Sequence, residues 1–300
     1  MNIIVFGGSG FLGSHVSDKL SEIGHNVSIY DIQNSKYLRK DQTMILGDIL
    51  DEKKVKEAIQ GHDVVYNFAG YADLDTASTS PRNTTELNLI GNINIIEGCI
   101  ASKVNQFVYA STIYVFSEAG GFYRCSKQAA EIYLEEYHNR YGMNYTILRF
   151  GSLYGPRSDE RNSIYKYLKK ALYDGKIKIK ASGHEIREYI HVRDASKISA
   201  RILAPEYYNK RFVLTGHQAI PVSQMLKMIQ EIVKNPVEIE YEDADSGSDK
   251  VGDHYEITPY SFVPKVGEKF SPELYTDMGQ GLIETIADIE SRENPVYYKK

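Results

Sequence analysis

The sequence has no tryptophan and only two cysteines, Cys99 and Cys125, among its 300 residues. Two thiols make neither a disulfide framework nor a tetrahedral metal site, so we expect each to pack as a small apolar group and predict no bound metal. The apolar runs are too short to span a bilayer, and no basic stretch precedes the apolar amino terminus as a signal peptide requires. We therefore predict a cytoplasmic protein without a membrane partner.

The sequence also lacks an excess of basic residues. Its 35 Lys and Arg are outnumbered by 40 Asp and Glu, which gives a formal net charge of -5. A surface that binds nucleic acid usually carries a basic excess, so nucleic acid is not an expected partner. The hydrophobic content of 42% is ordinary for a globular protein, and the length suits either one large domain or a major domain with a smaller lobe.

Short apolar runs alternate with helical patterns along the first half of the chain. β-Branched and aromatic runs predict buried strands, and apolar residues at helical spacing predict helices between them. The predicted strands are 2–7, 26–31, 41–48, 63–70, 106–111, 144–151 and 211–216. The predicted helices are 11–23, 52–59, 85–102, 123–141, 195–203, 223–233 and 274–290. This alternation predicts an α/β fold with a doubly wound parallel sheet.

A smaller α/β lobe is predicted at the carboxyl-terminal side of this sheet. We assign 1–155 and 186–216 to the sheet domain, and 156–185 and 217–300 to the lobe. Ligands of open α/β sheets bind outside the carboxyl ends of the strands, so the lobe is expected to lie over that edge and to select the substrate.

The turn after the first predicted strand is rich in glycine. Its sequence, from Gly7 to Gly13, is GGSGFLG and leads into the first helix. Glycines let backbone N–H groups approach a pyrophosphate, although an ordinary tight turn is the alternative. Asp31 ends the second strand 18 residues after Gly13, where a carboxylate can bind both ribose hydroxyls and repel a 2′-phosphate. Together they predict NAD rather than NADP, unless Asp31 is only a turn residue.

A second motif opens a predicted helix. Tyr123 and Lys127 lie one turn apart on the same face, and we expect the ammonium to lower the pKa of the phenol so that it works as acid or base. Thr112 follows a predicted strand, and its hydroxyl can bind the same substrate oxygen. A second pair with this spacing, Tyr165 and Lys169, follows no such strand, and we interpret it as chance.

These motifs resemble those of extended short-chain dehydrogenases/reductases, in the same order along the chain. The matching segments are GGSGFLG, Asp31, NFAG, Asn88, ASTIYVF, YRCSK, LRFGSLYGP and REYIHVRD, which span about 2–205. The chain is most similar to the branch of epimerases, dehydratases and dehydrogenases that act on nucleotide sugars. The resemblance implies a Rossmann-type domain that holds NAD and a lobe that holds a nucleotide-diphosphate sugar.

The resemblance also implies roles for single residues. Tyr123 would deprotonate a sugar hydroxyl while hydride passes to the nicotinamide, Lys127 would hold the nicotinamide ribose, and Thr112 would steady the reacting oxygen. The other implied cofactor contacts are Gly7, Gly10, Phe11, Leu12, Gly13, Asp31, Asp48, Ile49, Phe68, Ala69, Gly70 and Asn88. The other implied substrate contacts are Ser111, Ser152, Arg187 and Tyr189.

Two of these assignments have structural alternatives. Arg187 matches an arginine that usually pairs with the substrate diphosphate, a task suited to its forked guanidinium. It could instead form an ion pair with Glu188 or Asp194. Asp48 stands where an adenine contact is usual, but turn chemistry explains it nearly as well.

The chain departs from the family pattern at three places. In the dehydratases an Asp-Glu pair follows the catalytic Ser or Thr, whereas Ile113 and Tyr114 follow Thr112 here, so we predict no dehydration. Only 11 positions separate Thr112 from Tyr123, whereas relatives commonly have a longer loop there. The short loop is expected to leave the sugar end of the site less enclosed. Ser152 stands where many relatives have Asn, which puts one phosphate or sugar contact in doubt.

The resulting hypothesis is NAD-dependent oxidation at a sugar carbon, C4, of a nucleotide-activated sugar in glycan precursor biosynthesis. The enzyme would be an epimerase or a dehydrogenase that releases a keto-sugar. An NADP-dependent keto-sugar reductase is the nearest alternative, and a non-catalytic NAD-sensing or scaffold protein is another. In many relatives the helices that match 85–102 and 123–141 form a dimer interface, so a homodimer is expected, unless both helices only pack on their own sheet.

Overall fold

The computed structural model describes residues 1–179, 182–217, 219–233, 236–241, 267–270 and 274–293. They form two units. The first comprises 1–150, 195–214 and 267–270, and the second comprises the described residues of 151–194, 215–258 and 271–300. No helix in these ranges is long and apolar enough to cross a membrane. The predicted cytoplasmic location stays a prediction.

The helices and strands follow in chain order. The strands are β1 (Asn2–Phe6), β2 (Asn26–Asp31), β3 (Gln42–Leu46), β4 (Val64–Asn67), β5 (Gln106–Thr112), β6 (Tyr145–Phe150), β7 (Ser152–Tyr154), β8 (Lys176–Ile179), β9 (Ile186–His191), β10 (Lys210–Leu214), β11 (Ala219–Pro221), β12 (Glu238–Tyr241) and β13 (Glu268–Lys269). The α-helices are α1 (Phe11–Glu22), α2 (Glu52–Ile59), α3 (Leu74–Thr79), α4 (Pro81–Thr85), α5 (Gly91–Ala101), α6 (Gly121–Tyr141), α7 (Ser163–Tyr173), α8 (Val192–Arg201), α9 (Val222–Ile232) and α10 (Met278–Glu293).

An eight-stranded sheet forms the centre of the first unit, with the order β13-β10-β6-β5-β4-β1-β2-β3. All its neighbouring strands pair in parallel. Strands β4 and β6 are buried along their whole length, as expected for a sheet covered on both faces. The chain order reverses between β1 and β4, which is where open α/β sheets bind ligands. The predicted α/β fold class is confirmed.

Helices α2, α5 and α6 cover one face of this sheet and contribute to its main apolar core. The predicted helix at 85–102 is a π-helical turn, Glu86–Ile90, followed by α5. Such turns inside helices are frequent at functional sites. Here the turn contains Asn88, which is buried.

The second unit contains a three-stranded sheet, β11-β9-β7, and a two-stranded sheet, β12-β8. Its core includes Leu168, Ile177, Leu226, Ile229 and Leu282, which come from α7, β8, α9 and α10. The predicted division assigned 186–194 to the sheet domain, but these residues group with the second unit. The reason is that β9 pairs with β7 and β11.

Candidate active site

The glycine-rich turn connects β1 with α1 and packs against the loop after β4. Gly7 has a φ of +74°, and a Cβ on it would lie 2.6 Å from the backbone nitrogen of Ala69. A Cβ on Gly13 would lie 2.2 Å from the Gly7 carbonyl oxygen. Both positions therefore require glycine for the turn to close.

The same turn leaves the start of α1 open to an anion. Gly10 caps the helix without any side-chain hydrogen bond to the first turn, so backbone N–H groups at this end are available to phosphate oxygens. Phe11 and Leu12 follow in the first turn and are half-buried. A pyrophosphate fits this arrangement, as the glycine spacing predicts.

Asp31 lies beside this turn, at the end of β2. Its Oδ2 accepts a hydrogen bond from the backbone N–H of Ser9 at 3.0 Å, and its Oδ1 accepts one from Gln33 at 3.4 Å. The carboxylate is half-buried and stands where a ribose would follow a pyrophosphate held by the turn. The ribose role and the turn role are thus compatible for Asp31.

Asp48 and Ile49 make structural contacts. The Asp48 Oδ1 accepts a hydrogen bond from the backbone N–H of Leu50 at 2.9 Å, which is the turn chemistry expected as the alternative. The Ile49 side chain is buried in the apolar core, and its carbonyl oxygen accepts from Asn94 at 2.9 Å. The adenine contact predicted for Asp48 and the cofactor contact predicted for Ile49 stay predictions.

Asn88 joins the loop that contains Phe68, Ala69 and Gly70 to α6. Its Oδ1 accepts from the backbone N–H of Tyr71 at 2.8 Å, and its Nδ2 donates to the Ser126 hydroxyl at 3.0 Å. Ser126 directly precedes Lys127, so Asn88 connects the predicted cofactor channel to the lysine.

Tyr123 lies in the first turn of α6 and Thr112 at the end of β5. Both side chains are buried, and they share a hydrogen bond. Burial raises the pKa of Tyr123 to about 12, and the Thr112 hydrogen bond offsets part of that rise. The expectation that Lys127 lowers this pKa is wrong for the chain alone, because desolvation of the phenolate is the larger effect.

Lys127 is buried one turn further along α6. Its Nζ donates to the Ala110 carbonyl oxygen at 2.8 Å and lies 4.8 Å from the ring centroid of Tyr109 and 5.9 Å from that of Tyr123. Burial lowers the pKa of Lys127 to about 8, while the charge of Glu131 acts in the opposite direction. At neutral pH the ammonium therefore keeps its charge.

A buried ion pair that the sequence analysis missed lies next to this set. The Glu131 carboxylate accepts hydrogen bonds from Arg149, at 3.0 and 2.6 Å, and from the Ser111 hydroxyl at 2.5 Å. Ser111 is predicted to contact substrate, but its hydroxyl donates to this carboxylate instead. The available signal was the position of Glu131, two turns after Tyr123 on the same face of the helix.

The short loop between β5 and α6 is held from the helix side. Arg124 Nη1 donates to the Ser117 carbonyl oxygen at 2.9 Å, and Gln128 Nε2 donates to that of Val115 at 3.0 Å. Gly120 has a φ of +98°, and a Cβ on it would lie 2.8 Å from the ring of Tyr114. The loop is therefore a compact turn.

Three predicted substrate contacts share one sheet in the second unit. Ser152 on β7 pairs with Tyr189 on β9, and Arg187 lies two residues earlier on β9. Arg187 is buried, and its Nη1 donates to the Ile186 carbonyl oxygen at 3.0 Å. Its predicted diphosphate contact and its ion-pair alternative both stay open.

The two cysteines differ in their surroundings. Cys99 is buried in the core, and burial raises the pKa of its thiol. Cys125 is exposed, so the expectation that it packs as an apolar group is wrong. Within the described ranges no three His, Cys, Asp or Glu side chains are placed to hold a metal ion.

Comparison with known proteins identifies the family. Residues 3–213 match the NAD dependent epimerase/dehydratase family. The chain belongs to this family. The extended short-chain dehydrogenase/reductase resemblance and the NAD-dependent class are thereby confirmed.

Relatives within the family include both epimerases and dehydratases. A Methanocaldococcus jannaschii protein, assigned by its name to the UDP-glucose 4-epimerases, is 28% identical over 250 residues, which cover 76% of this chain and 81% of the relative. Human dTDP-D-glucose 4,6-dehydratase is 23% identical over 258 residues, which cover 77% of this chain and 74% of the relative.

Solved structures show the same fold. The crystal structure of UDP-glucose 4-epimerase from Thermotoga maritima with UDP-glucose has a TM-score of 0.81 and 25% identity, and the match covers 98% of this chain and 100% of that one. Family membership thus supports an NAD-dependent enzyme that modifies nucleotide sugars, and it does not by itself choose between epimerisation and dehydration.

Proposed function

We propose that this chain is an NAD-dependent 4-epimerase of a UDP-sugar. The observation that carries the proposal is the buried set Thr112, Tyr123 and Lys127 with no acid pair after Thr112. Ile113 is buried, and the Tyr114 ring meets that of Tyr123 edge-on with 6.5 Å between centroids. Neither side chain is a carboxylate, so the pair that eliminates water in the dehydratases has no counterpart at these positions.

The same residues suit reversible oxidation of a sugar alcohol. Bound NAD supplies hydride acceptance and return. The Tyr123 phenolate would take the proton of the 4-hydroxyl, and the resulting phenol would later return it, while the Thr112 hydroxyl donates to the same oxygen. The Lys127 ammonium stabilises the phenolate and would hold the nicotinamide ribose. The glycine-rich turn would hold the pyrophosphate and Asp31 the adenosine ribose.

The nucleotide is proposed to be UDP because the Methanocaldococcus and Thermotoga relatives are named for UDP-glucose. A panel of UDP-, GDP-, dTDP- and ADP-sugars tests this choice and the reaction together. The purified protein is incubated with each sugar while the absorbance of reduced nicotinamide, the product mass and the stereochemistry at C4 are followed, with Tyr123→Phe as the inactive control.

An isomer of unchanged mass, formed from a UDP-sugar without net NADH, is the expected result. Stoichiometric NADH with a product two hydrogens lighter would instead identify a dehydrogenase that releases the keto-sugar. A product that has lost water would identify a dehydratase and contradict the argument from Ile113 and Tyr114.

A homodimer is part of the proposal. The π-helical turn before α5 and the helix α6 expose the large apolar side chains of Ile90, Phe122 and Ile132, and exposed apolar patches mark interaction surfaces. Light scattering should give twice the chain mass, and Ile132→Glu should give the monomer. Ile23→Glu, at another exposed apolar position directly after α1, is the control that should stay dimeric.

A further inference from the structure

The ion pair between Glu131 and Arg149 has no part in the mechanism proposed above. Both side chains are almost completely buried, at 1% and 0% exposure, and the closest charged atoms, Arg149 Nη2 and Glu131 Oε2, are 2.6 Å apart. Removing two charges from water is costly, and apolar side chains of similar volume often give equal or greater stability. A contribution to stability is therefore a weak explanation for this pair.

The Glu131 carboxylate joins the two elements that carry the proposed catalytic side chains. Ser111 and Arg149 are direct neighbours across β5 and β6, and both donate hydrogen bonds to the Glu131 carboxylate. Ser111 directly precedes Thr112. Because Glu131 is on α6, its carboxylate ties the helix of Tyr123 to the strand of Thr112.

The Arg149 side chain of this ion pair also packs against the turn that follows Thr112. Its guanidinium carbon lies 4.8 Å from the ring centroid of Phe116, in the short helical turn Ile113–Phe116 that follows Thr112. The turn, the strand and the helix thus meet around one carboxylate, so its loss would loosen all three.

The carboxylate also affects the charge of Lys127. The groups around this ammonium are the Ala110 carbonyl oxygen and the rings of Tyr109 and Tyr123, all uncharged at neutral pH. Glu131 is one turn away on the same helix and favours the protonated lysine, against the opposing effect of burial.

We propose that Glu131 is a positioning residue for the Tyr123–Lys127 pair, which holds α6 against the Thr112 strand and keeps a negative charge beside Lys127. The proposal rests on the roles proposed above for Tyr123 and Lys127. It assigns Glu131 no contact with substrate or cofactor.

Glu131→Gln tests the charge with little change in shape, since the amide oxygen still accepts a hydrogen bond. Glu135→Gln is the matched control because Glu135 is also on α6 and also pairs with an arginine of a neighbouring strand, Arg211 on β10. Four quantities are measured for both variants and the wild type: NAD affinity between pH 6 and 9, kcat and KM over the same range, and the temperature of thermal unfolding.

We expect Glu131→Gln to lower kcat at least tenfold with a smaller change in KM. We also expect the pH above which NAD affinity falls to be lower by about one unit than in the wild type, which is the shift that loss of one nearby charge commonly produces. Glu135→Gln should leave both unchanged. Equal pH profiles for the two variants, with lower thermal stability for Glu131→Gln, would show a purely structural role and overturn the proposal.

Ser111→Ala covers the case in which Glu131→Gln does not fold. It removes the bond to the Thr112 strand but keeps the ion pair, so kcat should fall while the pH profile of NAD affinity stays in place. A wild-type kcat in Ser111→Ala would overturn the positioning role. If the wild type turned over no sugar, the proposed function would fail, and the NAD profile would still decide the role of Glu131.

Discussion

Two tyrosine–lysine pairs with the same spacing lie on helices of the two units. Lys127 Nζ is 5.9 Å from the ring centroid of Tyr123, and Lys169 Nζ is 5.8 Å from that of Tyr165. Both tyrosine side chains are buried. By spacing and by local geometry the two pairs are almost equivalent.

The surroundings of the two lysines are opposite. Lys127 is buried, bonds a backbone carbonyl, and has a pKa lowered by burial to about 8. Lys169 is a third exposed and pairs with Glu160 at 2.9 Å and Glu293 at 3.0 Å, which raise its pKa. A perturbed group held in place is typical of an active site, whereas a solvated ion-pair network is typical of a surface. The neighbourhood, and not the spacing, separates them.

The proposed difference between the two pairs would be wrong if removing either tyrosine hydroxyl had the same effect on turnover. Tyr123→Phe is expected to lower kcat by about 10²–10⁴, the usual contribution of a positioned general acid or base, and to leave NAD binding intact. Tyr165→Phe should keep wild-type turnover. Steady-state kinetics with the best sugar of the panel measures both, and wild-type turnover in Tyr123→Phe would refute the assigned base.

The stability of the apo protein should depend on pH in opposite ways through the two lysines. The pKa of Lys127 is about 8 in the folded protein, whereas the ordinary lysine value of 10.5 applies to the unfolded chain. The unfolded chain therefore binds more protons than the folded protein between these two pH values. The free energy of unfolding should therefore rise with pH in that window, by on the order of 3 kcal/mol from this site. Lys169, with its raised pKa, stabilises the fold below 10.5 and loses this contribution at higher pH.

Urea unfolding of the wild type, Lys127→Met and Lys169→Met at pH 8 and pH 10 measures this difference. The wild type should gain stability relative to Lys127→Met on going to pH 10, and should show no such gain relative to Lys169→Met. A constant difference between the wild type and Lys127→Met would contradict the lowered pKa.

A further difference between the two pairs is NAD, which only the Tyr123–Lys127 pair is proposed to contact. The effect expected at the other end of this cofactor is smaller. Asp31→Ala should narrow the preference for NAD over NADP about tenfold, because it removes both the charge-assisted ribose contact and the repulsion of a 2′-phosphate. Asp41→Ala, at an exposed carboxylate near the start of β3, is the control. Unchanged ratios of NAD to NADP affinity in Asp31→Ala would count against the ribose role.

Most of the central sheet could be predicted from the sequence because its strands carry their own signal. β2 buries Val27, Ile29 and Tyr30, three of its six residues, and matches the predicted 26–31. β8 was missed because only its alternate residues are buried, in a segment rich in lysine. Its partner β12 comes from a distant part of the chain, and no local pattern reveals such a pairing.

The candidate site shows the same limit. The sequence places Tyr123, Lys127 and Thr112 on the right elements, since motif spacing is local. It does not show that Glu131 meets Arg149, because that depends on how α6 packs against β5 and β6. It also misjudged the pKa of Tyr123, since burial is a property of the folded chain.

The contrast between the two cysteines has a practical consequence. Only Cys125 presents its thiol to solvent, and it lies between Tyr123 and Lys127 in sequence while their side chains are buried. Cys125 comes three residues after Phe122 and seven before Ile132 on α6, so it lies on the face proposed for the dimer. A maleimide should therefore react with this thiol faster in the monomer than in the dimer, and the labelling rate would report dimerisation with no engineered cysteine.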